Sequence, residues 1–257
     1  MQYAFFIVLL SFAANSMACE YDKNTMSIDT KDGVIFVCED EIETNHTPGP
    51  FDVMDKEVAL SLMYKKNGGE SYLIKELPYL ADTGKVSDII FNDIDADQEK
   101  EIIVIHQVEI RAHTEVSYSS DHYTVQVFKK GSAGRYIYDK KLSNFFGSGA
   151  DIIDSDTDED LYVFPFKRRV SILNATKSAV YRALVANQAI QGEATAKIYF
   201  HELPNISFKQ KLYIIKGDKF ETEGFNAGWL LIRYTAKNGH VYSGWVDSSK
   251  TNLAINK

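Results

Sequence analysis

The sequence predicts an all-β protein in which a β-sandwich or propeller-like domain precedes a small β-barrel. Short apolar runs separated by Gly, Asn and Asp turn residues recur from Cys19 to about Phe166, a pattern typical of strands joined by turns. Helical periodicity is weak throughout. Residues 194–257 repeat the pattern with short, closely spaced strands, which favours a small closed barrel. The length of 257 residues accommodates one large domain or two small ones.

The N-terminus has the features of a secretory signal peptide covering residues 1–18. Tyr3–Ala14 is apolar and uncharged, but it is too short to span a bilayer, which takes about 20 residues. Ser16 and Ala18 are small and fit the two positions that precede a cleavage site, although no Lys or Arg comes before the apolar run. The alternative is a core strand or helix at this end. We expect a periplasmic or secreted protein with no membrane span.

The chain contains two cysteines, Cys19 and Cys38. In an exported protein such a pair predicts a disulfide. It would close a loop of about 20 residues around a predicted β-hairpin and stabilise the fold by about 3 kcal/mol. The alternative is a lipoprotein, in which Cys19 is acylated and Cys38 remains a thiol. Ser16 stands where a lipobox usually has Leu, which favours the disulfide.

Turn residues and composition divide the chain into four segments. These are the signal peptide 1–18, a β-domain 19–166, a connector 167–193 and a second β-domain 194–257. In the first β-domain, Val58–Tyr64 with Ser71–Leu77 predicts one hairpin, and His122–Phe128 with Tyr136–Lys140 predicts another. Thr176–Ala189 is the one predicted helix, although a strand or an irregular connector would fit the same apolar run.

An acidic segment between two predicted strands carries a carboxylate at every second position. Its acidic residues are Asp93, Asp95, Asp97, Glu99 and Glu101. Hard cations such as calcium take several oxygen ligands from one short loop, so this spacing predicts a metal-tied turn, with a solvated acidic turn as the alternative. A second acidic segment, at 151 and 154–160, lacks glycine and a closing ligand, which favours a solvated connector over a second metal loop.

The C-terminal segment resembles a bacterial SH3-like domain. The resemblance rests on three ordered motifs, Tyr213–Asp218, Gly228–Tyr234 and Gly244–Val246. It implies a small SH3-like β-barrel of the kind that often binds peptidoglycan or acts as a docking module. Large aromatic side chains either line a ligand groove there or fill the barrel core. The candidates for the groove are Tyr199, Tyr213, Trp229, Tyr234 and Trp245.

The acidic loop and the strand after it resemble the FG-GAP type of calcium-loop repeat found in β-propellers. On that pattern, the carboxylates of Asp93, Asp95 and Asp97 take metal positions one, three and five. Glu101 takes position nine, and the backbone carbonyl of Glu99 takes position seven. The resemblance implies calcium as the cofactor. Gln98 departs from it, because glycine is usual there and permits the sharp turn.

One acidic loop in a compact β-domain behind a signal peptide is also similar to the periplasmic inhibitors of invertebrate-type lysozyme. Lysozyme inhibitors carry a Ser-Gly-x-x-Tyr loop that enters the lysozyme cleft. Ser132 and Tyr136 keep that spacing, with Ala133 in place of the glycine. The resemblance implies that Ser132 and Tyr136 bind a partner. An ordinary hairpin turn explains the same residues.

The sequence predicts a binding protein that is not an enzyme. It contains no nucleophile elbow, metalloprotease helix, phosphate loop or dinucleotide fingerprint. The net charge of −8 and pI of about 5.3 disfavour nucleic acid as a partner. The leading hypothesis is an inhibitor or immunity-type protein that blocks a cell-wall hydrolase or secreted toxin. The alternative is a peptidoglycan-binding or adaptor protein that acts through its SH3-like domain.

Overall fold

A computed structural model describes residues 21, 25–41, 58–80, 82–110, 117–206 and 209–255 of the chain. Strands account for 51% of the structure and form several antiparallel sheets with three short helices, so the predicted all-β class is confirmed. The helices are α1 (Lys140–Phe146), α2 (Arg169–Thr176) and α3 (Ala179–Val185).

Nineteen strands are present among the described residues. They are β1 (Ser27–Thr30), β2 (Gly33–Glu41), β3 (Val58–Lys66), β4 (Ser71–Glu76), β5 (Lys85–Asn92), β6 (Glu101–Val108), β7 (Ser117–Tyr118), β8 (His122–Lys130), β9 (Tyr136–Tyr138), β10 (Ser148–Gly149), β11 (Ile152–Ile153), β12 (Asp160–Tyr162), β13 (Ile190–Ala194), β14 (Ile198–His201), β15 (Lys209–Ile214), β16 (Lys219–Asn226), β17 (Trp229–Thr235), β18 (Val241–Asp247) and β19 (Thr251–Ile255).

The first two sheets pack face to face. One has the order β1-β2-β3-β4, and the other has the order β10-β8-β6-β5 with β9 paired to β8. Leu62 and Ile35 of the first sheet share a hydrophobic cluster with Ile102, Val104 and Phe128 of the second. All five side chains are fully inaccessible to solvent. Side chains alternate between the two faces of a strand, so those on one face of each sheet meet in this apolar cluster and hold the two layers together.

Strand β6 is buried on both faces, which explains its unbroken apolar sequence. Its residues Ile102 and Val104 face the first sheet, whereas Ile103 and Ile105 enter a second cluster on the opposite face. Phe146, Ile172 and Tyr181 from the three helices complete that second cluster. The acidic loop that precedes β6 is therefore attached to the most deeply buried strand of the sheet.

The predicted helix Thr176–Ala189 is wrong in extent. The structure ends α2 at Thr176 and begins α3 at Ala179, and a turn that contains Asn187 separates the end of α3 at Val185 from β13. Ser178 lies between the helices with an extended backbone, and its hydroxyl accepts a hydrogen bond from the backbone N–H of Tyr181. A serine in that position caps a new helix and does not extend the previous one.

The C-terminal sheet has seven strands in the order β15-β14-β18-β17-β16-β13-β19. Its core contains Phe200, Ile214, Leu230, Ile232 and Val246. The predicted closure into a barrel is wrong for the described residues: β15 and β19 stand at the two ends of the sheet, and no pairing joins them. Closure would require these two end strands to exchange hydrogen bonds.

This sheet contacts the helical layer of the preceding segment. The ring of Phe145 in α1 lies 5.7 Å from that of Phe225 in β16. The backbone N–H of Ala227 donates to the carbonyl of Phe145 at 3.2 Å, and the Tyr162 hydroxyl donates to the carbonyl of Ala227 at 2.6 Å. Apolar burial and paired backbone groups therefore hold the sheet against the helices. The domain boundaries at 166 and 194 stay a prediction.

Two predictions concern residues outside the described ranges. The signal peptide 1–18 and Cys19 lie there, so export and the pairing of Cys19 with Cys38 stay predictions. Cys38 itself is fully buried on β2, in a small cluster with Phe36 and Met63. No helix in the described part of the chain has the length and apolar character needed to cross a membrane.

Candidate metal centre and binding surfaces

The acidic loop, residues 93–100, closes the hairpin between β5 and β6, where Asn92 pairs with Glu101. Hydrogen bonds from backbone N–H groups to its own carboxylates stabilise the conformation of the loop. The side chain of Asp93 accepts hydrogen bonds from the backbone N–H groups of Ala96 at 2.8 Å and Gln98 at 3.1 Å. Such side-chain-to-backbone bonds curl a short loop in the way that calcium loops require.

Gln98 adopts the backbone conformation that the resemblance assigns to glycine. Its φ is +74°, and Ala96 also lies in the left-handed region at +64°. Residues with a Cβ pay a steric cost there, which the hydrogen bonds to Asp93 offset. The loop therefore reaches its sharp turn without glycine.

Three of the predicted metal ligands converge. One carboxylate oxygen from each of Asp93, Asp95 and Glu101 lies within 4.8 Å of the other two, so the three residues could hold a metal ion. The carboxylate of Asp97 lies outside this group and accepts a hydrogen bond from the backbone of Glu99 at 2.8 Å. The role predicted for the Glu99 carbonyl stays a prediction. Hard divalent cations favour an all-oxygen donor set of this kind.

Glu101 is the deepest member of the group and is fully buried. Its Oε2 accepts a hydrogen bond from the backbone N–H of Ile94 at 2.9 Å, but its Oε1 has no hydrogen-bond partner. Burial raises the pKa of this carboxyl to about 7, the negative charge of Asp95 adds to the rise, and the Ile94 N–H and Lys129 oppose it. A bound cation would supply the missing partner for Oε1 and favour the ionised form.

Two lysines at the end of β8 pair with the acidic loop. The ammonium group of Lys129 forms an ion pair with Asp95 and lies 3.9 Å from Asp97, and that of Lys130 lies 3.4 Å from Glu99. A metal ion at Asp95 would compete with Lys129 for the same carboxylate. The sequence analysis missed this contact, since 34 residues separate Lys129 from Asp95.

The hairpin tip, residues 131–135, follows these lysines and joins β8 to β9. Ser132 and Gly134 are exposed, and the N–H of Gly131 donates to the carbonyl of Arg135 at 2.8 Å. The guanidinium group of Arg135 lies 4.3 Å from the centre of the Tyr72 ring. The hairpin tip is thus an exposed turn whose base is held by contacts on two sides.

Of the two predicted partner-binding residues, Ser132 is exposed and Tyr136 is half-buried. The ring of Tyr136 packs against Tyr64 at 5.6 Å and Phe91 at 6.4 Å, and its backbone N–H donates to the Tyr72 hydroxyl at 3.2 Å. Tyr136 therefore packs against the core between the sheets, and its partner-binding role stays a prediction.

The second acidic segment forms a turn between β11 and β12. Asp154 accepts hydrogen bonds from the backbone N–H groups of Asp156 and Thr157. In the described part of the chain these carboxylates form no metal-ligand group. Residues 155–160 are exposed, and the choice of a solvated connector over a second metal loop stays a prediction.

The five aromatic residues predicted to line a groove do not share one surface. Trp229 is 3% exposed and lies 4.9 Å from the ring of His201, and Tyr234 packs on the core of the sheet. Trp229 is therefore a core residue, which is the alternative that the sequence left open for it. Tyr199, Tyr234 and Trp245 are half-buried and Tyr213 is 47% exposed, so these four remain candidates for ligand contact.

Comparison of this chain with protein-family models, with curated proteins and with solved structures finds no match.

Proposed function

We propose that this protein is an exported, non-enzymatic binding protein of the inhibitor or immunity type, which presents the hairpin tip to a cell-wall hydrolase or secreted toxin. One observation carries the proposal: the tip is exposed, yet contacts to the acidic loop and to Tyr72 hold its base. The sequence resemblance to inhibitors of invertebrate-type lysozyme supports the same role for Ser132.

Fixing the base of the tip before binding favours affinity. A flexible loop loses conformational freedom when it binds, whereas a loop that is already ordered loses less. Lys129 and Lys130 link the end of β8 to the acidic loop, and Arg135, the last residue of the tip, packs on the ring of Tyr72. Contacts of Lys129, Lys130 and Arg135 with the acidic loop and with Tyr72 therefore constrain the position of Ser132.

The charge of the chain suits a basic partner. Residues 1–193 contain 19 Lys and Arg against 31 Asp and Glu. Opposite net charge accelerates encounter between proteins, and cell-wall hydrolases are often basic. We expect association to slow as salt concentration rises.

The bound cation of this proposal is calcium, held by Asp93, Asp95 and Glu101. Its role is structural, because the site lies at the base of the acidic loop and the orphaned Oε1 of Glu101 points to a missing partner. The ion would stiffen the loop against which the lysines of the hairpin rest.

The test is inhibition of an invertebrate-type lysozyme that digests a cell-wall suspension. We expect the protein to slow digestion, and Ser132→Arg to weaken inhibition by roughly tenfold or more, because a central contact residue contributes about 2 kcal/mol or more. Asn238→Arg, in an exposed turn of the C-terminal sheet, is the matched control and should inhibit normally. Absence of inhibition, or equal inhibition by Ser132→Arg, would contradict the proposal.

A second candidate function is binding to the cell wall through the C-terminal sheet. It is favoured by Tyr199, Tyr213 and Trp245, whose rings remain partly accessible. Cosedimentation with purified sacculi separates the two functions, since a pure inhibitor stays in solution.

A further inference from the structure

Two lysines and two tyrosines form a compact group on the edge of the C-terminal sheet. This lysine–tyrosine cluster consists of Lys197, Tyr199, Lys209 and Tyr213. Tyr199 in β14 is the cross-strand partner of Tyr213 in β15, and their rings are 5.7 Å apart. The ammonium group of Lys197 lies 4.7 Å from the centre of the Tyr199 ring and 4.0 Å from that of Tyr213, and that of Lys209 lies 3.8 Å from the Tyr199 ring.

The cluster lies on the face of the sheet opposite its core. Ile198 and Phe200 point into the core, so Tyr199 and His201 lie on the opposite face, where the His201 ring packs against the buried Trp229. His201 pairs across strands with Lys209 on one side and with Trp245 on the other. Accessible or partly accessible rings therefore lie on three neighbouring strands, and the two lysines stand beside two of them.

The lysines have geometry suited to ligand binding. Each ammonium group is held over an aromatic ring by cation–π attraction, which limits its movement but leaves it exposed. A side-chain hydrogen bond from Lys197 lowers the pKa of Tyr199 and raises that of Lys197. Within the described residues, neither Lys197 nor Lys209 forms an ion pair with a carboxylate.

The surrounding segment is basic in an otherwise acidic chain. Residues 194–257 contain nine Lys and Arg against five Asp and Glu, whereas residues 1–193 have an excess of acidic residues. A basic surface confined to one end attracts an anionic ligand to that end and leaves the acidic remainder free for a basic partner.

We propose that the lysine–tyrosine cluster binds an acidic glycan, whose sugar rings stack on Tyr199 and Tyr213 and whose carboxylates pair with Lys197 and Lys209. Aromatic faces bury the apolar faces of a sugar ring, and ammonium groups pair with its charges. This inference rests on the second candidate function and defines the chemistry of its ligand. It is independent of the hairpin tip.

The experiment measures binding of the full chain to soluble polygalacturonate, a polymer of carboxylated sugars. Neutral dextran supplies sugar without charge, and polyglutamate supplies charge without sugar. We expect binding to polygalacturonate that weakens with salt, no binding to dextran, and weaker binding to polyglutamate. Equal binding to polyglutamate, or none to polygalacturonate, overturns the proposal.

A matched pair of variants locates the site. Lys197→Gln with Lys209→Gln should weaken polygalacturonate binding by roughly tenfold or more. Lys216→Gln with Lys237→Gln removes the same charge from two exposed turns and should change binding little. All four lysines are exposed, and equal melting temperatures confirm that both variants fold. If both double variants weaken polygalacturonate binding equally, net charge alone explains binding and the proposed site is wrong.

Cosedimentation with sacculi distinguishes failure of the acidic-glycan site from failure of the cell-wall role. Binding to polygalacturonate without binding to sacculi supports the acidic-glycan site and refutes the cell-wall role. Binding to sacculi that survives Lys197→Gln with Lys209→Gln refutes the site and leaves the cell-wall role standing.

Discussion

Glu101 holds a fully buried carboxylate to which the described residues provide one hydrogen bond, from the backbone N–H of Ile94. An unpaired buried charge is costly, and the neighbouring Asp93 and Asp95 add negative charge. Lys129 offsets part of that charge through Asp95. The negative charge that Lys129 leaves uncompensated, together with the unpaired Oε1 of Glu101, is the physical reason to expect a cation at this loop.

Glu101→Gln should remove the response to calcium. In the wild-type protein, millimolar calcium should raise the melting temperature by about 5 °C, since each kcal/mol of binding shifts a domain of this size by about 2–4 °C. The amide of Gln is a weaker ligand than a carboxylate, so the variant should show little rise. Melting curves with calcium and with a chelator measure both.

Glu99→Gln is the control for this experiment, because Glu99 is exposed and lies outside the converging side chains. It should retain the rise in melting temperature. A wild-type melting curve that calcium leaves unchanged would remove calcium from the account.

Buried His106 and half-buried His122 should each contribute stability that is lost on mild acidification, opposite in sign to the contribution of Glu101, whose pKa is raised. Burial lowers the pKa of His106 below its usual value, although a bond of 2.8 Å to the carbonyl of Thr83 opposes the shift. Burial and the nearby His106 lower the pKa of His122 in the same way. Because the pKa of each histidine is lower in the folded state, the unfolded chain binds more protons. The contribution of these histidines to stability is therefore fully present above about pH 6.5 and is lost as the pH falls below it.

Urea unfolding at pH 7.5 and pH 5.5 measures this loss. His106→Gln retains a side-chain donor for the Thr83 carbonyl and does not titrate, so the free energy of unfolding should change less between the two pH values than in the wild-type protein. An identical change in both proteins would exclude His106 as a source.

At the scale of elements, strands were predictable where turn residues separate apolar runs. The hairpins around 67–70 and 131–135 and the strand that begins at Glu101 follow from local sequence alone. Helix α1 was missed, because its seven residues are too few for a clear period. Its stability comes from burial of Phe145 and Phe146, which sequence periodicity does not report.

In the candidate sites, too, contacts between residues close in sequence were predictable, whereas contacts between distant residues were not. The curl of the acidic loop arises from residues within five positions of one another, and sequence spacing predicted it. The ion pair of Lys129 and the burial of Tyr136 and Trp229 depend on strands brought together by folding. Spacing alone could not distinguish a groove residue from a core residue.

At the scale of the whole molecule, the hairpin tip joins β8 to β9 of the second sheet, whereas the lysine–tyrosine cluster lies on the C-terminal sheet. The first part is acidic and presents the tip, and the last part is basic and presents the cluster. The two proposals therefore concern different surfaces with different ligand chemistry. Each can fail without the other.

The most direct test of the central claim is amide hydrogen exchange of the protein with and without an invertebrate-type lysozyme. We predict that exchange at residues 131–135 slows by roughly tenfold or more in the complex, because a buried interface protects exposed amides. The flanking strands, which are already hydrogen-bonded, should change less. Protection confined to residues 194–255, with the hairpin tip unchanged, would contradict the account.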